Sequence, residues 1–470
     1  MPLFLEGRWV EGATEQVIRS PHDGAEVGRA GFASGAQVDR AIAFAHQRAA
    51  DVARVPLYRR ADVLGRVADL LKARLEDVAR TICGEAGKPM ALARAEAQRG
   101  VETFQCAEAE ARRMDGEALP LDTLPRGEGR FGVVRRFPVG PVAAVSPFNF
   151  PLNLVAHKVA PAMAAGCPVV LKPASQTPLT AYLLAHLCEE AGLVEGGLQV
   201  VPAGRRDADL LVTDDRVRLL SFTGSPAVGW DMKARAGRKK VVLELGGNAG
   251  VILLPDADVT AALPALAAGA FAYAGQVCIS VQRILVPDGK RQEFAEAFGA
   301  HVQASVKTGD PARDDVLNGP LIDEPNARRV LEWIAEARAA GARVVTGGER
   351  AGNAVTPAVL ADVPPDARAY AEEAFGPLVC VEGYASVDDA AARLNRGRFG
   401  LQAGVYTNDL KALWRLYDRL EVGGVIHNDV PTFRVDQMPY GGVKDSGLGR
   451  EGIRYALEDL TERRLLVLRP

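Results

Sequence analysis

The sequence lacks any apolar run long enough to cross a bilayer. Its longest weakly polar stretch, Ala261–Gly275, is alanine-rich, holds Pro264 and falls short of the ~20 residues a membrane helix needs. Residues Met1–Val10 carry Glu6, Arg8 and Trp9 where a secretory signal would need an apolar core, so a cytoplasmic location is expected. No charge of one sign dominates. The formal net charge is −3, which gives no footprint for nucleic acid or an anionic membrane, and neither is expected as a partner. The six cysteines, at 83, 106, 167, 188, 278 and 380, show no metal-ligand spacing such as CxxC. They read as reduced thiols, and no metal is expected. Aromatic residues make up only 6%, which favours a small hydrophilic ligand over a bulky apolar one.

What is present is a two-part periodicity. Residues 56–113 have the spacing of long amphipathic helices, with Leu64, Val67, Leu70 and Leu71 on one face and Leu75, Val78 and Ile82 continuing it. Pro120–Pro138 breaks that pattern as an extended excursion or hairpin. From Val142, short β-rich runs (Val142–Val145, Val169–Leu171, Leu198–Val201, Leu219–Phe222, Val241–Leu243) alternate with helical stretches near 154–165, 180–191, 207–213 and 227–236. Such alternation predicts a parallel sheet covered on both faces, with ligands at the carboxyl ends of its strands. A second strand–helix series begins near Val251 and runs through Ile284–Val286, Arg343–Val345, Val379–Val381 and Ala403–Tyr406, while the tail Leu465–Leu468 is a candidate added strand. The fold class is α/β.

Two stretches match GxGxxG, at Gly127–Gly132 and Gly447–Gly452, but neither joins a strand to a helix as a nucleotide fingerprint must. Cys278 follows a long helical run and Gly275, on a tight connection where a thiolate could face a cleft; alone, such a cysteine is more often structural. Glu244 follows the strand Val241–Leu243 and points toward the crevice, as a base or as a salt-bridged structural residue. Asn149 also follows a strand, either as an oxyanion donor or as a turn residue between two prolines. Lys172 ends another strand, where it could reach ribose or phosphate or simply be solvated. Ser225 could cap a helix and contact a pyrophosphate at its N-terminus.

Taken in order, SPFNFP, LKPASQTP, SFTGS, LELGG, GQVC, EEAFGP and PYGGVKDSGLGREG resemble the aldehyde dehydrogenase superfamily along essentially the whole chain. The resemblance implies a Rossmann-like NAD(P)-binding domain (1–119 and 138–247), an α/β catalytic domain (248–452) and a small β oligomerisation arm (120–137 and 453–470), hence a homodimer or homotetramer. It implies Cys278 as nucleophile, Asn149 as oxyanion donor, Glu244 as the base that hydrolyses the thioester, and Lys158 as a proton relay. Lys172, Ser175, Phe222, Ser225, Gly246, Glu373 and Phe375 would hold the cofactor. Many NAD-preferring members carry a glutamate at the place of Ser175, so NADP should be accepted alongside NAD, even preferred. Residues 425–434 and the PYGGVKDSG that follows resemble the lactaldehyde, phosphonoacetaldehyde and non-phosphorylating glyceraldehyde-3-phosphate branch. That likeness places Arg113 and Arg283 on an anionic substrate group, with salt bridges as the alternative, and Phe148, Asn153 and His157 around the pocket. Two other readings stand beside a hydrolytic enzyme: a CoA-acylating semialdehyde dehydrogenase, which usually lacks the glutamate found here at 244, and a catalytically silent relative.

Overall fold

The computed structural model describes residues 1–469. The five predicted β-runs form parallel strands in the order Leu198–Val200, Val169–Lys172, Val142–Val145, Leu219–Thr223, Lys240–Glu244. The chain steps outward from Val142–Val145 in one direction and then returns to its other side. A crevice therefore opens at the carboxyl ends of Val142–Val145 and Leu219–Thr223, where strand order reverses. Antiparallel strands close both edges: Leu3–Leu5 and Arg8–Val10 on one side, Gly447–Leu448 on the other. The second GxGxxG stretch thus opens with an edge strand, Gly447–Leu448, beside Glu244, and the first runs from the short turn Pro125–Gly127 into the strand Phe131–Pro138.

The helix Asn153–Ala165 crosses this sheet with all thirteen residues buried. It has no capping side chain of its own. Glu96, from the helix Met90–Arg112, instead accepts from the N–H groups of Leu152 (3.0 Å) and Asn153 (3.1 Å). Glu85 does the same for the helix Leu179–Glu190 through the N–H groups of Leu179 and Thr180. Two buried carboxylates thus tie two of the early helices (Leu75–Ala86 and Met90–Arg112) to the helix termini nearest the crevice.

A second sheet has the order Arg343–Thr346, Ala358–Ala361, Leu378–Tyr384, Val281–Pro287, Ala249–Leu253, Gln402–Tyr406, Gly424–His427, parallel except for its first strand. A three-stranded arm joins Glu117–Pro120, Phe131–Pro138 and Thr461–Leu468. The arm therefore begins earlier than 120 on one side and later than 453 on the other. Residues Ile453–Leu460 are instead a helix that buries Ile453, Leu457 and Leu460 in the core of the first sheet. No helix among the described residues is long and apolar enough to cross a membrane.

Candidate active site

The helix Val259–Phe271 ends in three successive left-handed residues, Tyr273 (φ 53°), Ala274 (φ 54°) and Gly275 (φ 66°). For Tyr273 and Ala274 this conformation costs about 1–2 kcal/mol each. Hydrogen bonds fix it: the Tyr273 hydroxyl donates to Ala86 O (2.9 Å), and Gln276 bonds Pro320 O and the Ile322 N–H. A Cβ on Gly275 would lie 2.3 Å from Gly376 O, so the position accepts only glycine. The turn delivers the Cys278 thiol to a cavity of about 480 Å³. Burial pushes that thiol up to about 12, while a hydrogen bond with the Tyr440 hydroxyl opposes the rise. Asn149 is buried beside the turn and donates one amide hydrogen to Gln276 O at 2.8 Å. Its second amide hydrogen remains for an oxyanion.

Glu244 ends its strand with both carboxylate oxygens buried and without a hydrogen-bond partner. Burial, and then the negative charge of Glu451, hold its pKa well above the usual carboxylate range. Its loop touches the cysteine loop, since a Cβ on Gly247 would lie 2.1 Å from Cys278 O. Lys158 bonds Thr223 Oγ1 (2.6 Å), Ser221 Oγ (3.2 Å) and Glu451 Oε1 (3.3 Å) and makes no hydrogen bond to Glu244.

At the crevice, Ser225 caps the helix Pro226–Arg235, yet its exposed hydroxyl makes no capping bond. That leaves free N–H groups at the positive end of a helix dipole, which suits a pyrophosphate. Lys172 ends its strand half-buried and bonds Pro173 O, with Ser175 three residues on. Glu373 accepts from Gly247 N–H at 2.9 Å and abuts Gly246, and burial pushes it up to about 7. Phe375 is held at φ 41° with its ring edge-on to Phe148 at 5.9 Å. This set fits a dinucleotide. Phe222 does not belong to it: its ring is buried under Gly224 and Gly229, supporting the loop from below.

Other expected residues lie elsewhere. Arg283 is fully enclosed and bonds Glu382, Tyr370 Oη and Arg393 O, so it is an internal cross-link of the second sheet. Arg113 is largely exposed at the end of its helix, paired with Glu110 beside the arm. His157 is buried and does not line the Cys278 cavity; burial and Arg434 lower its pKa while Asp436, 3.1 Å from Nε2, opposes the shift. Phe148 faces Phe375 and does not line the Cys278 cavity, whereas Asn153 does line it.

Two arginines that sequence reasoning passed over line that cavity, Arg99 and Arg434. Arg99 Nη2 and Arg434 Nε are buried without a hydrogen-bond partner. Arg99 approaches Asp436 at 3.6 Å, and Arg434 donates to Glu451 Oε2 at 2.9 Å. Lys158 and Arg434 hold Glu451 well below its ordinary range despite its burial. One signal was legible for Arg99. Glu96, Arg99 and Thr103 share a helix face by i, i+3, i+7 spacing, and polar groups on a buried face need partners.

The family described as "Aldehyde dehydrogenase family" matches residues 9–466. A 3-sulfolactaldehyde dehydrogenase from Priestia aryabhattai is 40% identical over 99% of this chain and 97% of its own. The crystal structure of aldehyde dehydrogenase 21 from Physcomitrella patens, in complex with the reaction product succinate, superposes with a TM-score of 0.97 at 44% identity, covering 100% of this chain and 98% of that one. The glyceraldehyde-3-phosphate dehydrogenase GapN from Methanocaldococcus jannaschii, complexed with NADP, superposes at 0.93 with 34% identity, covering 97% and 100%.

Proposed function

The chain belongs to the aldehyde dehydrogenase family and is an NAD- or NADP-dependent oxidoreductase acting on aldehydes, and we propose that its substrate is a small aldehyde bearing a carboxylate or sulfonate. The observation that carries this reading is the pair of arginines, Arg99 and Arg434, whose side chains line the Cys278 cavity and each of which holds one buried nitrogen without a hydrogen-bond partner. A buried donor without a partner costs about 1–3 kcal/mol, and an oxyanion removes that cost. The hydroxyl of an uncharged aldehyde accepts more weakly. The names of the relatives agree: one acts on 3-sulfolactaldehyde and another holds succinate.

In this mechanism Cys278 attacks the aldehyde carbon, and the free amide hydrogen of Asn149 meets the oxyanion of the thiohemiacetal. Lys172, Ser175, Ser225, Gly246, Glu373 and Phe375 would hold the nicotinamide cofactor, which when bound would supply the two-electron acceptor. Oxidation leaves a thioester on Cys278. Glu244, with no donor to satisfy its oxygens, takes a proton from the water that cleaves it. Lys158, buried nearby and ion-paired with Glu451, is the proposed relay for that proton. Ser175 presents no carboxylate to a 2′-phosphate, so NADP is accepted with NAD. Assembly as a homodimer or homotetramer, in the cytoplasm, is proposed with it; the arm exposes Phe131 on one strand and Leu465, Leu466, Val467 and Leu468 on the next, an apolar surface suited to burial against a second copy.

The test is initial rates of cofactor reduction, without CoA, for succinic semialdehyde and sulfolactaldehyde against lactaldehyde and glycolaldehyde. Arg99→Gln should lower kcat/KM about 10- to 100-fold for the charged pair and less than about threefold for the neutral pair. Equal losses for both pairs would remove the anion from the reading. Turnover only when CoA is added would remove Glu244 as the deacylating base.

A further inference from the structure

Among the described residues, the Cys278 sulfur has one hydrogen-bond partner, and the reaction above does not use it. The Tyr440 hydroxyl lies 3.0 Å from Sγ, and that hydroxyl makes no other hydrogen bond. Its placement is rigid. The ring is buried, packs with Ile279 and Leu401, and is fixed at the backbone by paired bonds with Glu451 (Tyr440 N–H to Glu451 O, 3.0 Å; Glu451 N–H to Tyr440 O, 2.6 Å). The Arg434 guanidinium covers the ring face at 3.7 Å from its centroid.

We propose that Tyr440 is a further catalytic residue, whose hydroxyl donates a hydrogen bond to the Cys278 sulfur whenever that sulfur carries negative charge. This rests on Cys278 being the nucleophile. A neutral thiol is a weak acceptor and a thiolate a strong one, so the contact favours the charged form selectively. A cation on the ring face strengthens the phenol as a donor by stabilising negative charge on its oxygen. Burial holds the hydroxyl well above its ordinary pKa, so it stays protonated and donates without transferring its proton.

The contact acts twice in a turnover. Before attack, the thiol proton leaves to solvent and the hydroxyl holds the resulting thiolate toward the cavity. During thioester hydrolysis, the C–S bond of the tetrahedral adduct breaks, its electron pair returns to sulfur, and the hydroxyl meets that pair again. In between, the sulfur is a neutral thioester and gains little from the bond. Tyr440 therefore speeds both bond formation and bond cleavage at sulfur.

Tyr440→Phe removes one oxygen and keeps the ring under Arg434. The measurement is the rate of Cys278 alkylation by iodoacetamide against pH, with the site located by mass spectrometry, beside stopped-flow turnover of the holoenzyme. We expect the alkylation profile to move about one unit to higher pH, with about tenfold slower alkylation on its rising limb. Burst rate and steady-state kcat should both fall about tenfold, with KM and cofactor Kd unchanged. Superimposable alkylation profiles, or a change in KM alone, would overturn the proposal while leaving Cys278 in place. Cys278→Ser, run in parallel, separates the two readings: undiminished turnover there would remove the nucleophile itself and this proposal with it.

Discussion

Glu244→Gln isolates the hydrolytic half of the reaction, because it removes the base and keeps its volume. Both carboxylate oxygens are buried and unpartnered, so nothing else in the structure takes their place. A positioned general base contributes about 10²- to 10⁴-fold, or about 3–5 kcal/mol. The first turnover should proceed near the wild-type rate and reduce one cofactor per site, and the steady state should then fall by that factor. Rapid-mixing absorbance of the reduced cofactor measures both phases, and intact-protein mass should show the acyl group on Cys278. An unchanged steady state, or a slow first turnover with no acyl-enzyme, would refute the assignment. The same substitution has a thermodynamic signature. Burial raises the folded pKa of Glu244, so stability falls as pH rises from the ordinary carboxylate pKa through the raised folded one. Each unit of that raise costs about 1.4 kcal/mol at higher pH. The glutamine variant should therefore melt above the wild type at neutral and alkaline pH and match it in acid, while wild-type hydrolysis quickens over the window in which stability declines. Loss of stability in the variant at neutral pH would mean that the carboxylate has a structural partner.

The frame of the fold was legible because its strands are buried on both faces. Runs such as Val142–Val145 and Val169–Leu171 are continuously apolar and bounded by turns, and their carboxyl ends name Asn149, Lys172, Ser225 and Glu244 without further information. The arm's limits were misplaced because Ile453–Leu460 and Thr461–Leu468 follow without a break, and only tertiary packing separates a core helix from an exposed strand. For Arg113 and Arg283 the sequence left substrate contact and salt bridges both open, and the structure pairs each with a carboxylate. Arg283 and Arg113 stand in suggestive company in the sequence, but what a guanidinium does depends on which carboxylate reaches it. Glu382, 99 residues away, encloses Arg283, while Arg99 keeps a free donor because Asp436 stops 3.6 Å short. Tyr440 was quoted within PYGGVKDSG as a motif letter, and its contact with a sulfur 162 residues earlier has no local trace.

Three further outcomes follow from single contacts. Ser175→Glu places a carboxylate beside Lys172, and the ratio of kcat/KM for NADP to that for NAD should fall at least tenfold; an unchanged ratio would put the 2′-phosphate elsewhere. Ending the chain at Leu460 removes the arm strand Thr461–Leu468, and light scattering should report a smaller assembly; an unchanged mass would exclude the arm as the contact. The last concerns Lys88, which is buried, ion-paired with Glu96, and set over the rings of Phe150 (3.5 Å) and Tyr273 (4.7 Å). Those rings belong to the loops that carry Asn149 and Cys278, and Glu96 caps the helix between them. Lys88→Met strands a buried carboxylate, which costs about 3–5 kcal/mol in chemical unfolding. Adding Glu96→Gln should recover most of that loss, because the neutral side chain still accepts from the helix N–H groups. Recovery of stability without recovery of kcat would show that the ammonium between the two rings also sets the spacing of nucleophile and oxyanion donor, whereas full recovery of both would limit the pair to holding the fold.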